Sequence, residues 1–246
     1  MKQQQPASKH IVLVGGGHAH VTVIREFGMR PEPGVIVTVV AKELDAPYSG
    51  MLPGYVAGHY TYDDVHIDLL RLASQAGCRL IHGTVTGIDR RQKLVEIEGR
   101  PPLRYDLVSI DVGITPKLDD IAGASDHAIA VKPVSMFARK WQDLESRALQ
   151  PDGPRRVIVA GAGAAGFELI LAIRHRLTGR ARAIGLDPRR FSYQLIGAGV
   201  LLPTHNPHAR RLAYRELERQ QVELVENRRV RAFEAGVAPL DDGPRL

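Results

Sequence analysis

RRVIVAGAGAAGFELILAIRHRL, residues 155–177, runs from an apolar strand through a glycine cluster into an amphipathic stretch, and FSYQLIGA at 191–198 supplies a second apolar strand. A strand, a crossover helix and a strand in that order build a parallel sheet, with a right-handed connection almost without exception. The glycine spacing adds chemistry. Gly161 makes the tight turn after the strand, Gly163 lets the backbone approach a diphosphate, and Gly166 lets the helix pack close to the sheet. The helix start behind them, at Ala164, offers bare N–H groups and the positive end of the helix dipole to a phosphate. A lone GxGxxG is weak evidence, so context decides, and this one follows an apolar strand and opens a helix.

The same layout occurs earlier, in HIVLVGGGHAHVTVIREF at 10–27 followed by VIVTVVAK at 35–42. Gly15 and Gly17 hold the first two positions, but the third is His20. A side chain there either pushes the helix outward or points into the groove; the reading taken here puts His18 near the phosphates and His20 in a packed position. Two such units predict an α/β protein with two Rossmann-like three-layer domains, each around a central parallel sheet and each able to hold a dinucleotide. The turn formers PDGP at 151–154 mark the boundary, giving domains over 1–150 and 151–246.

Between the glycine units, a Thr61-x-x-Asp64 pattern predicts a capped helix over 61–76 with Val65, Leu69, Leu72 and Ala76 on one face. Alternating runs over 79–98 and the strand YDLVSIDV at 105–112 are expected as antiparallel and closing elements of the first sheet. A helix over 134–149 carries Phe137, Trp141 and Leu144 as a core stripe. A last helix starts with Asn206 as cap and Pro207 at its first position, where a missing N–H costs nothing.

Composition removes several function classes. The single cysteine, Cys78, excludes an internal disulfide or a CxxC pair within these 246 residues, and its apolar setting suits a core position. His18 and His20 have no Cys or carboxylate at ligand spacing beside them, so no metal site is expected. The net charge of +6 is spread along the chain and only 5% of residues are aromatic, which speaks against a nucleic-acid surface. No apolar run approaches the ~18 residues of a membrane span, and KQQQPAS lacks the apolar core of a secretory signal, so a cytoplasmic chain is expected.

Four strings in order, GGGHAH, APYSGMLPGYVAGHY at 46–60, YDLVSIDVGITP at 105–116 and GAGAAGFE, resemble the FAD-dependent pyridine nucleotide oxidoreductases with two dinucleotide domains. The likeness is nearest to the branch fused ahead of selenide, water dikinase, with type II NADH dehydrogenases as wider relatives. The resemblance implies FAD on the first unit, with Gly15, Gly17, His18 and Ala19 at the pyrophosphate, Lys42 near the adenosine ribose and Val85 meeting adenine. It implies that 49–53, with Leu52 and Pro53, runs beside the flavin ring, and that Asp111 to Pro116, with Gly113 and Thr115, returns the chain to it. NAD(P)H would lie on Gly161, Gly163, Ala164 and Gly166, with Glu168 as the candidate catalytic residue near the nicotinamide.

A helix-start carboxylate that merely favours the dipole is the other reading of Glu168. Relatives that reduce disulfides carry a Cys pair where SGMLPG stands, so the implied activity is hydride transfer from NAD(P)H to FAD and onward to a quinone or another small electron acceptor. A link to a selenide, water dikinase and a peripheral place at the membrane belong to the same implication, with a silent nucleotide-binding module as the alternative. The acid that usually meets the ribose at the end of the second strand is missing from both units, at Ala41, where Glu43 or Asp45 is the alternative, and at Gly197, so NADH and NADPH both stay open. No Gly-Asp strand end follows Val222, and the resemblance therefore implies a chain without the part that closes over the flavin.

Overall fold

The computed structural model describes residues 9–114 and 120–241. They form two compact units: the described residues of Met1–Tyr48 with Asp63–Ile114, and Ser49–Tyr62 with those of Thr115–Leu246.

In the first unit β1 (Lys9–Val14) lies between β2 (Val35–Ala41) and β9 (Leu107–Ile110), with β5 (Arg79–His82) beyond β2, all parallel. β1 is apolar without alternation because both of its faces are covered, as parallel strands require. On one face Leu13, Val39 and Ala41 pack with Ile24 of α1 (His18–Met29) and Leu69 of α3 (Leu69–Ala76). On the other, Val12, Val14 and Val40 pack with Val95, Ile97 and Tyr105. Burying each such large side chain contributes about 1.5–3 kcal/mol, so the central strands hold the unit from both sides.

Two expectations need correction. The helix placed over 61–76 begins only at Leu69; Asp68 is its cap and accepts the Arg71 N–H at 2.9 Å. Upstream, β4 (His66–Asp68) pairs antiparallel with β3 (Asp45–Pro47), which turns Ile67 toward the core cluster. The alternating residues after Arg79 do not all join the first sheet either. β5 does, but β6 (Val85–Asp89), β7 (Leu94–Ile97) and β8 (Arg100–Arg104) form their own antiparallel sheet, and that sheet supplies the second face over β1.

The second unit has a parallel sheet in the order β10 (Arg156–Ala160), β11 (Ser192–Ile196), β12 (Val222–Val225). Its crossovers are α6 (Ala164–Ala183) and α7 (Pro207–Arg219). α6 buries Leu169, Ile170, Ile173 and Leu177, and the expected cap of α7 is present, with Asn206 Oδ1 accepting the Ala209 N–H at 2.8 Å. α2 (Leu52–Ala57), α4 (Ala124–His127) and α5 (Val134–Ala148) belong to the same unit. Phe137 and Trp141 of α5 are buried, and Glu145 ties α5 to α6 by accepting Arg176 Nε at 2.6 Å. Among the described residues no helix is long and apolar enough to cross a membrane.

Candidate nucleotide sites

In each unit the parallel strands end on one edge, and in open α/β sheets that carboxyl edge is where ligands bind. Gly15, Lys42, Gly83 and Asp111 follow β1, β2, β5 and β9 in the first unit. Gly161, Gly197 and Glu226 follow β10, β11 and β12 in the second.

Gly15 has φ +96°, a conformation open mainly to glycine, and donates its N–H to Val40 O at 2.8 Å. Gly17 is the N-cap of α1 and has no side chain to cap with, so the first-turn amides of His18 and Ala19 have no hydrogen-bond partner among the described residues. His18 and Ala19 are exposed, and the His18 ring stacks on Tyr48 at 4.1 Å between centroids. His20, where the third glycine would stand, turns inward and is 1% exposed. Its Nδ1 meets the Gly15 carbonyl at 2.8 Å and its Nε2 the Ser109 hydroxyl at 2.9 Å. A carbonyl only accepts, so Nδ1 donates to Gly15. His20 thus fastens the glycine turn to β9.

Asp111, expected as the start of the stretch that returns to the flavin, has a role at the glycine turn that the sequence does not show. Its carbonyl accepts the Gly17 N–H at 3.2 Å and its carboxylate accepts the His20 N–H at 3.1 Å. A Cβ added at Gly17 would strike that carboxylate. The cradle therefore fits a diphosphate on the His18 and Ala19 amides, with one neighbouring amide already taken by a built-in anion. Lys42 is exposed and its carbonyl accepts from His82 Nε2 at 3.0 Å; Val85 opens β6 half-buried, and Gly113 is exposed. Leu52 and Pro53 lie on α2 in the second unit, Leu52 buried and Pro53 half-buried. Thr115 lies outside the described residues.

The second turn is the more open cradle. Gly161 has φ +121° and donates to Ile196 O at 2.7 Å. Gly163 is the N-cap of α6, again without a side-chain cap, and both glycines are exposed with no atom within 4 Å of where a Cβ would stand. Gly166 packs its backbone on the Gly161 carbonyl, leaving no space for a side chain. The amides of Ala164 and Ala165 have no partner among the described residues, so a diphosphate fits here without displacing anything.

Glu168 is exposed on the second turn of α6 and lines a cavity of about 450 Å³ with Phe167, Leu202, His205 and Leu212, between the start of α6 and α7. Leu202 and His205 were not singled out from the sequence, because nothing local marks a loop that folds back from β11. The described residues hold no group of three His, Cys, Asp or Glu side chains placed for a metal ion. Cys78 is half-buried against the core of the first unit, and burial pushes its thiol up, away from the reactive thiolate.

The family described as pyridine nucleotide-disulphide oxidoreductase matches residues 9–239. The NADH dehydrogenase-like protein YutJ of Bacillus subtilis is 28% identical over 170 residues, covering 68% of this chain and 45% of that protein. The type II NADH:quinone oxidoreductase of Staphylococcus saprophyticus is 22% identical over 226 residues, covering 88% of this chain and 56% of that protein. Among solved structures, NDH2 from Plasmodium falciparum superposes with a TM-score of 0.81 at 16% identity, covering 97% of this chain and 52% of that one. The sulfide:quinone oxidoreductase of Aquifex aeolicus gives 0.79 at 17% identity, covering 97% and 56%. The chain thus spans about half the length of the curated relatives it matches, and the solved structures share its fold.

Proposed function

The chain belongs to the pyridine nucleotide-disulphide oxidoreductase family, and from that premise we propose that it binds FAD on the first glycine turn and NAD(P)H on the second, and passes a hydride from NAD(P)H to FAD and electrons onward to a quinone. One observation carries this reading: each unit puts a helix start whose first two amides have no partner among the described residues, directly behind a glycine turn, at the carboxyl edge of its own parallel sheet. The quinone is taken from the names of the type II relatives. The assignment of FAD to residues 1–150 and of NAD(P)H to 151–246 is part of the same proposal, as is Glu168 as a residue near the nicotinamide.

The bound cofactors supply the redox chemistry, and the chain's part is to hold, orient and shield them. The amides of His18 and Ala19 would grip the FAD diphosphate, with the His18–Tyr48 stack as an aromatic ledge beside it. The amides of Ala164 and Ala165 would grip the other. Glu168 would orient the carboxamide or move a proton at its carboxylate oxygens.

The test is spectroscopic. Purified protein, supplied with excess FAD, is expected to show a flavin spectrum that bleaches anaerobically on adding NADH or NADPH and returns on adding a quinone. A colourless protein that takes up no FAD would leave only a nucleotide-binding module.

Asp111 gives a sharper expectation for the first turn. Its carboxylate competes for one amide and repels a diphosphate at the same helix start, whereas Asp111→Asn keeps the size and an acceptor and removes the charge. The variant is expected to bind FAD about five- to tenfold more tightly in a flavin-fluorescence titration, the scale of a screened charge a few ångströms away. Unchanged or weaker binding would show that this carboxylate does not face the diphosphate.

A further inference from the structure

In a dinucleotide fold the residue at the end of the second strand commonly offers a carboxylate to the adenosine ribose, and that carboxylate repels a 2′-phosphate there. In the second unit the residue is Gly197, directly after β11. Its backbone is pinned on both sides: the N–H donates to Val225 O at 2.8 Å, and the carbonyl accepts the Arg228 N–H at 3.0 Å. A Cβ added there would stand 2.6 Å from the Ala162 Cβ and 2.8 Å from the Gly199 carbonyl oxygen. Ala162 is itself held, buried and accepting the Leu202 N–H at 2.9 Å. The position therefore lacks a carboxylate and has no room for one.

The next acid along this edge does not replace it. Glu226 follows β12, and its Oε1 accepts both the Tyr214 hydroxyl at 2.7 Å and the Leu201 N–H, so it is engaged in holding the loop after β11. A cation is held against the same loop, because Arg210 of α7 donates Nε to the Leu201 carbonyl at 3.0 Å. The edge thus has a missing carboxylate, an occupied one and a guanidinium.

We infer that the second unit accepts NADPH as readily as NADH, and that the Ala162–Gly197 contact is what removes the discrimination. This rests on the reading that the second turn holds a dinucleotide. Titration of the whole chain with each nucleotide is expected to give an NADPH affinity no more than about fivefold below that for NADH, since no charge-assisted ribose bond favours the latter. The double variant Ala162→Gly with Gly197→Glu removes the tighter contact and installs the acid, with the exposed Gly199 turn shifting to take the new Cβ. It is expected to move the ratio at least about tenfold toward NADH, the worth of one charge-assisted hydrogen bond.

Wild-type protein that binds NADH more than about fivefold tighter than NADPH overturns the inference while upholding the dinucleotide site. A folded double variant that binds NADH with the wild-type ratio overturns the role of the pair. Failure to bind either nucleotide sinks the dinucleotide reading itself and the inference with it. Should the double variant not fold, the wild-type ratio alone decides.

Discussion

Gly163→Val is expected to abolish reduction by NADH or NADPH while bound flavin persists. Gly163 caps α6 with φ −80° and ψ −176°, extended backbone that valine adopts without strain. No atom lies within 4 Å of the new Cβ and the position is exposed, so the fold should lose no more than the ~0.5 kcal/mol of an ordinary surface change. The ligand is affected very differently. Two γ-methyl groups would stand before the amides of Ala164 and Ala165, where a diphosphate has to approach to hydrogen-bond distance. Loss of two charge-assisted bonds, at about 1.5–3 kcal/mol each, weakens nucleotide binding by two orders of magnitude or more. Calorimetric titration of the nucleotide, alongside the flavin spectrum and an unfolding curve, separates the three effects. Equal loss of flavin and nucleotide in a folded variant would count against separate sites.

Gly15→Ala should do the opposite, damaging the fold and losing flavin as a result. At φ +96° an L side chain is strained wherever it points, and here the Cβ would press into the carbonyl of Asp111. That carbonyl cannot retreat freely. It accepts the Gly17 N–H, and Asp111 is itself fixed by donating its own N–H to Val14 O at 2.8 Å. Relief requires the end of β1, where Val14 is buried, to move against β9. A cost of about 3 kcal/mol or more is expected in urea unfolding, from backbone strain and overlap together. An unchanged midpoint would mean that the turn is more pliable than its hydrogen bonds imply.

The contrast between these two glycines shows what could be read from the chain alone. Both turns, their strands and their helices stand out because the signal is local: an apolar run, glycines at fixed spacing, then an amphipathic stretch. The Asn206–Pro207 start of α7 is legible for the same reason. The helix misplaced over 61–76 failed where two local signals competed. Thr61 and Asp64 mimic a cap, but Ile67 finds a better place in a short strand and Asp68 caps the real start at Leu69. The strands after Arg79 failed differently, since alternation marks a strand without naming its partner, and β6, β7 and β8 pair among themselves.

What escaped notice at the site are the long-range contacts. Asp111 acts on a helix start far back in the chain, and Ala162 constrains Gly197 through the meeting of two strand ends. His20 is packed, as its place in the glycine pattern leads one to expect, yet its tie to Ser109 depends on β9 lying next to β1. Local pattern reveals that a cradle exists. Only the sheet order reveals what else leans into it.

That long tether has a consequence for how the molecule comes into being. The His20 amide and the Asp111 carboxylate are 91 positions apart, and β1 cannot complete its pairing until β9 arrives beside it. During synthesis the first cradle has to wait for the chain through residue 111 to emerge, because closing so large a loop precedes any reward from the contact. Until then the turn around Gly15 lacks the neighbour strand whose carbonyl and carboxylate fix its shape.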